Sequence, residues 1–202
     1  MAVTYNPQQK RFERDGVPVT SEELRTLIDR LTLQTKREAR RLSERLERGE
    51  ITRDAWLVAM ATLLRASHVV AASVGSGGYN RVTEERWRKV EKKVTWQGGF
   101  LSRFGVAIAA GTVIGSIAAR AARYASAVYV TFATAFQEAQ TEGANEKEML
   151  CRLVQNSKEG CPECNADAAA GWMPVSEMGE IGSRECGDFC LCEIEFEDEV
   201  MR

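Results

Sequence analysis

Apolar positions recur every three to four residues from about Thr20 to Gln155, a spacing that predicts long amphipathic helices. The first opens at Thr20-Ser21-Glu22-Glu23, where the threonine can cap and Glu23 can reach back to it. Leu24, Leu27, Ile28, Leu31, Leu42 and Leu46 form its apolar stripe, its other faces are charged, and Gly49 ends it. A second helix follows Thr52, with Trp56, Met60, Leu63, Leu64 and Val70 turned inward. It stops at Gly75-Ser76-Gly77-Gly78, which reads as a flexible hinge. A third starts near Thr83 and keeps its period through Trp87, Val90, Val94, Leu101, Phe104 and Ile108, with Gly98-Gly99 expected to weaken or bend it. A fourth spans about Ser116 to Gln140, and a shorter one about Asn145 to Gln155.

Four long helices with short connections imply a mainly α fold, a helical bundle occupying residues 20–155. Residues 1–19 read as an N-terminal arm, because Asn6-Pro7 and Asp15-Gly16 are turn signals and no apolar period is evident. Residues 156–202 read as a small Cys-rich, acidic C-terminal subdomain of Gly, Pro and Cys turns, zinc-knuckle-like. It ends in Cys192-Glu-Ile-Glu-Phe-Glu, whose alternation predicts a short strand. Phe104 to Ala119 and Tyr124 to Gln137 carry no charge, but both fall short of the roughly 20 residues of a spanning helix. Arg120 and Arg123 lie between them, so the runs read as buried helices and no membrane is expected.

Composition changes this picture in one respect. With 44% hydrophobic, 28% charged and 7% aromatic residues, the 202-residue chain is globular and favours helices over a β-sandwich. The net charge of −2 argues against a general nucleic-acid binder, yet it hides an asymmetry. Residues 151–202 hold 12 acidic and 4 basic groups, and residues 1–150 hold 17 and 23. Such polarity can orient a chain between differently charged neighbours.

All six cysteines lie in the acidic part, as Cys151, Cys161, Cys164, Cys186, Cys190 and Cys192. Ala2 to Arg14 is polar and offers no secretory leader, so a reducing setting fits, where clustered thiols are metal ligands more often than staples. Cys161-Pro-Glu-Cys164 places two thiolates on one turn, spaced for a tetrahedral Zn²⁺ with bonds of about 2.3 Å. Cys186 can supply the third sulfur, and Cys190 or Cys192 the fourth. The stretch between, including Gly171-Trp172-Met173-Pro174 and Ile181-Gly182-Ser183, is too polar to build a core alone. A structural metal would supply that folding energy, and loss of Cys161 is then expected to unfold the tail and spare the helices. Disulfides among these residues are the alternative that spacing leaves open.

Other chemistry reads weakly. A glutaredoxin-type C-P-x-C would need a strand, the motif and a helix in a βαβ unit, which is not predicted here. A zinc deaminase would need an H-x-E partner, and the sole histidine, His68, reads as a packed or surface residue. Gly75-Ser-Gly-Gly lacks the Lys-Ser/Thr of a phosphate loop. Cys151 reads as a small buried hydrophobe on a helix. Arg37, Arg40, Arg41, Arg45 and Arg48 read as a solvated face laced with Glu38, Glu44 and Glu47, the alternative being a phosphate-binding face. No catalytic set is visible, so no enzyme is expected.

From Cys161 onward the chain resembles the phage head-morphogenesis, or minor head protein, family of the phage Mu type. That family ends with a helical body, a C-x-x-C turn, a Gly/Pro link, a His-Pro-Asn-Cys-Arg-Cys-like ending and a strand. Cys161-Pro-Glu-Cys164 matches the first turn, Gly171-Trp172-Met173-Pro174 resembles the link, and Cys190-Leu-Cys192 before Glu193-Ile194-Glu195 matches the ending. Cys186 stands one residue away from the family's His. Tyr5-Asn-Pro with Arg11-Phe12, the Glu47-Arg48-Gly49-Glu50-Ile51 helix end, Trp56 with Met60, and Arg120 with Arg123-Tyr124-Ala125 are similar to the family's front part. The resemblance implies a virion or prohead protein, present in several copies and assembled in the host cytoplasm. It would contact portal and capsid proteins during head assembly or DNA packaging. The reading of a different class is a zinc-containing nucleic-acid-binding regulator that uses the Arg37–Arg48 face.

Overall fold

The computed structural model describes residues 3–9, 11–155 and 160–197. The chain is mainly helical there, with two small sheets and a cysteine cluster near the C-terminus. The N-terminal residues do more than form an arm. Strands β1 (Val3–Asn6), β2 (Arg11–Arg14) and β3 (Val17–Val19) pair as an antiparallel meander. The Asp15-Gly16 signal is its second turn, with both residues at positive φ as a two-residue hairpin loop requires. Strands this short show no period in the sequence, yet Val3, Tyr5 and Phe12 all point into the core. Phe12 stacks on Phe136 with centroids 5.2 Å apart.

The helical body starts with α1 (Ser21–Glu47), whose capping box is complete: Thr20 accepts the Glu23 N–H, and Glu23 accepts the Thr20 N–H at 2.8 Å. Thr52 caps α2 (Arg53–Gly75) and Thr83 caps α3 (Glu84–Ala109), which runs on through Gly98-Gly99. The expected fourth helix comes in two pieces, α4 (Ile117–Arg123) and α5 (Ala127–Thr141), separated by a 3₁₀ turn at Tyr124–Ser126. At the break, Gln97 Nε2 donates to the Tyr124 carbonyl at 3.2 Å, so a side chain occupies an acceptor of the helical ladder. The run Phe104–Ala119 is not one buried helix either, because α3 ends at Ala109 and the following loop leaves Ile114 96% exposed. Tyr124–Gln137 is largely buried, through α5.

The α2 helix lies at the centre and packs against α1, α3 and α5. It is long and apolar enough to cross a membrane by length and composition, and here its Trp56, Met60, Leu64, His68 and Ala71 are buried against neighbours. Its glycine-rich end packs against the meander. The Gly77 carbonyl accepts the Tyr5 N–H at 3.0 Å, and a Cβ on Gly77, at φ +71°, would stand 2.2 Å from the Tyr5 Cβ.

The segment expected as a last helix is a turn followed by β4 (Leu150–Val154). Cys151 and Leu153 point inward while their neighbours are half-buried, a period of two in a run too short to separate from a helix by periodicity. Next come α6 (Pro162–Ala170), β5 (Met173–Pro174) and β6 (Glu193–Phe196), the strand anticipated from its alternation. The sheet order is β5-β4-β6, all antiparallel. Two apolar clusters result. One joins the meander, α1, α5 and the tail through residues such as Phe12, Ile28, Phe136, Cys164, Ile181 and Phe196. The other gathers Ala39, Trp56, Met60, Leu101, Phe104 and Ala121.

Candidate metal centre

Two bends meet beside α5. In the first, Cys161 is the N-cap of α6, accepts the Cys164 N–H at 3.5 Å, and is followed by Pro162 in the first turn, where no N–H is needed. Cys164 therefore follows one turn later, with both thiols at the start of the helix. In the second bend, Arg184, only 8% exposed, donates to Asp167 of α6 at 2.5 Å and to the carbonyls of Gly179 and Glu180. Glu163 accepts the Glu185 N–H at 2.6 Å, tying the two bends together just before Cys186. Gly182, at φ +83°, lets this loop press on α5, since a Cβ there would be 2.5 Å from Val130 Cγ1. The Tyr129 hydroxyl of α5 donates to the Cys192 carbonyl at 3.3 Å.

These clamps bring all five predicted ligands together. The sulfurs of Cys161, Cys164 and Cys186 lie within 4.8 Å of one another, and so do those of Cys164, Cys190 and Cys192. Cys164 belongs to both groups. Cys164 and Cys186 are 3.6 Å apart, close to the roughly 3.8 Å edge of a tetrahedron with 2.3 Å zinc–sulfur bonds. All six cysteines are free thiols, and Cys164, Cys190 and Cys192 are buried. The cluster can hold a metal ion, and an all-sulfur donor set suits soft or borderline ions. Cys190 and Cys192 both reach Cys164, so each remains a candidate fourth ligand.

Burial pushes the Cys164 and Cys186 thiols well above their ordinary range. Burial, then the neighbouring Cys190, pushes Cys192 up to about 11. Cys161 is held lower, first by the Cys164 backbone N–H. An ion held by Cys164, Cys186 and Cys192 would therefore have to displace their protons.

Other residues of interest lie elsewhere. Cys151 is buried as expected, but on β4 opposite Phe196 and outside both groups of sulfurs. His68 is a fully buried packing residue between Thr131 (2.7 Å) and Gln97 (3.0 Å). A strand and a helix do flank Cys161-Pro-Glu-Cys164, but the sheet is antiparallel, so no βαβ crossover exists there. On α1 and just past its C-terminal end, Arg41 pairs with Glu38, and both Arg45 and Arg48 pair with Glu50. The clamping residues Glu163, Asp167, Tyr129 and Arg184 escaped sequence reasoning. The one available signal was a cation two positions before Cys186. Set against family models, curated proteins and solved structures, the chain matches none.

Proposed function

We propose that this chain is a structural protein of bacteriophage heads, of the minor head or head-morphogenesis kind, with its C-terminal region held by one structural zinc ion. The observation that carries the reading is that two groups of sulfurs, Cys161 with Cys164 and Cys186, and Cys164 with Cys190 and Cys192, share Cys164 just ahead of β6; Cys161, Cys164, Cys186 and Cys190 would hold the ion, with Cys192 the alternative fourth ligand. That order of bends and strand is the one the resemblance implies. Four thiolates complete zinc's coordination and leave no open position for water, so the ion staples and does not catalyse. On this reading the chain acts by protein–protein contacts with portal and capsid proteins, in the virion and in the host cytoplasm where heads assemble.

Elemental analysis of freshly purified, reduced protein is expected to find one zinc per chain, and a chain free of metal would overturn the zinc reading. For the setting, co-expression with portal and capsid proteins from the same locus is expected to yield heads retaining several copies. Heads that assemble normally without the chain would overturn it. The exposed Arg37 and Arg40 favour a nucleic-acid-binding regulator as a second reading. The glutamate pairing of Arg41, Arg45 and Arg48 weakens it. Steeply salt-dependent DNA binding by the isolated protein would put it first.

A further inference from the structure

A cavity of about 520 Å³, within the size range of small-molecule sites, is lined by α1, α5, β6 and Ile181. Phe132, Phe136 and Ile194, all buried, give it an apolar wall. Its charged lining is lopsided, with the carboxylates of Glu22, Asp29, Glu193 and Glu195 against one cation, Arg25. Arg25 Nη1 already donates to both Glu193 oxygens, at 2.8 and 2.7 Å. Arg152, from outside the lining, meets Glu195 at 2.7 Å. Glu22 and Asp29, both exposed, keep no ionic partner among the described residues. Glu22 also offsets the α1 dipole from the first turn, a role that Asp29 lies too far along the helix to share. The imbalance is felt at the Tyr129 hydroxyl, which burial first, and then Glu193 and Asp29 against Arg25, push well above its ordinary range.

Gln137 is an independent sign of a ligand. It lines the same cavity, is only 8% exposed, and its Oε1 meets no donor among the described residues. A buried acceptor in that state is destabilising, and a donor from a ligand would relieve it. The two spare carboxylates argue against an anion. A neutral apolar ligand would take water from them and return no hydrogen bond. A bare divalent ion needs converging oxygens, and among the described residues no three carboxylates lie close enough to share one. Glu22 and Asp29 sit on one face of α1, about 10 Å apart along its axis, too far for one compact cation to bridge. Two cations joined by a flexible apolar chain can bridge them.

We propose that this cavity binds a linear aliphatic polyamine. Its ammonium groups pair with Glu22 and Asp29, its methylenes lie against Phe132, Phe136 and Ile194, and one N–H donates to Gln137 Oε1. The proposal does not depend on which ion, if any, the cysteines bind.

The test is isothermal titration calorimetry of spermidine into the full chain at low salt. One saturable site is expected. Asp29→Asn and Glu22→Gln should each weaken it about threefold to fivefold, as loss of an exposed ion pair does. Gln137→Leu should weaken it about threefold to tenfold through the lost hydrogen bond. Glu44→Gln, on α1 but outside the cavity, should bind as the wild type does, and hexylamine, with one ammonium, should bind more weakly than spermidine. Folding of each variant is checked by circular dichroism. Absence of saturable binding, wild-type binding by Asp29→Asn or Gln137→Leu, or an equal loss in Glu44→Gln would each overturn the proposal. So would tighter binding of acetyl-arginine-amide than of spermidine, which would make a partner's side chain the occupant.

Discussion

Cys164 is the thiol common to both groups of sulfurs, so its loss should matter most. Cys164→Ser is expected to abolish stoichiometric metal binding, read as zinc per chain by elemental analysis. Cys151→Ser should leave that stoichiometry unchanged, because Cys151 lies outside both groups. It should still lower stability by about 1–3 kcal/mol in denaturant melts, since it buries a hydroxyl where a thiol packed against apolar neighbours. Cys151 also carries a pH signature. Burial raises its thiol from 9.0 to about 11 in the fold, so above pH 9 the unfolded chain gives up this proton first. Stability should therefore fall between about pH 9 and 11, by on the order of 2 kcal/mol from this group. Cys151→Ala should lack that component of the slope. At the metal centre the sign differs: thiols must lose protons to bind an ion, so acidification should release it.

Among the elements, the long helices were legible because each repeats its apolar period over twenty or more residues and announces its start with a capping threonine. Thr20→Ala should cost about 1 kcal/mol, measurable as a lower urea midpoint. The short elements were not legible. β4 has five residues, and the alternation of Cys151 and Leu153 acquires meaning only when they pair with Phe196 and Ile194 of β6, far along the chain. The division between α4 and α5 coincides with Gln97, a residue from another helix. The close crossing of α2 over α5 likewise depends on Gly75, where a Cβ would stand 2.5 Å from the Phe132 carbonyl oxygen. Gly75→Ala should force the helices apart and destabilise by about 1–3 kcal/mol, seen as a lowered thermal midpoint.

Across the molecule, the apolar clusters do not follow the expected division into body and tail. The cluster that includes Cys164, Ile181 and Phe196 also includes Ile28 of α1, Phe136 of α5 and Phe12 of the meander. A tail that shares its core with the helices should not melt alone. Chelating the bound metal is thus expected to lower the midpoint of one cooperative transition, with helical circular dichroism lost together with tail structure. A tail-only transition that leaves the helical signal unchanged would favour the separate knuckle first read from the sequence.

Taken alone, the chain determined whatever its nearby residues specify: helix periods and caps, the β6 alternation, the charge asymmetry, and two Cys bends spaced for a metal. These follow from local backbone geometry, which a few adjacent residues encode. Only the tertiary structure decided that β1, β2 and β3 form a sheet, that four other sulfurs gather around Cys164, and that Arg184 and Glu163 hold the bends in place. It also decided that tail and helices bury one core. Each of these rests on contacts between residues far apart in the chain, and the free energy of such contacts exists only once the intervening segments have folded.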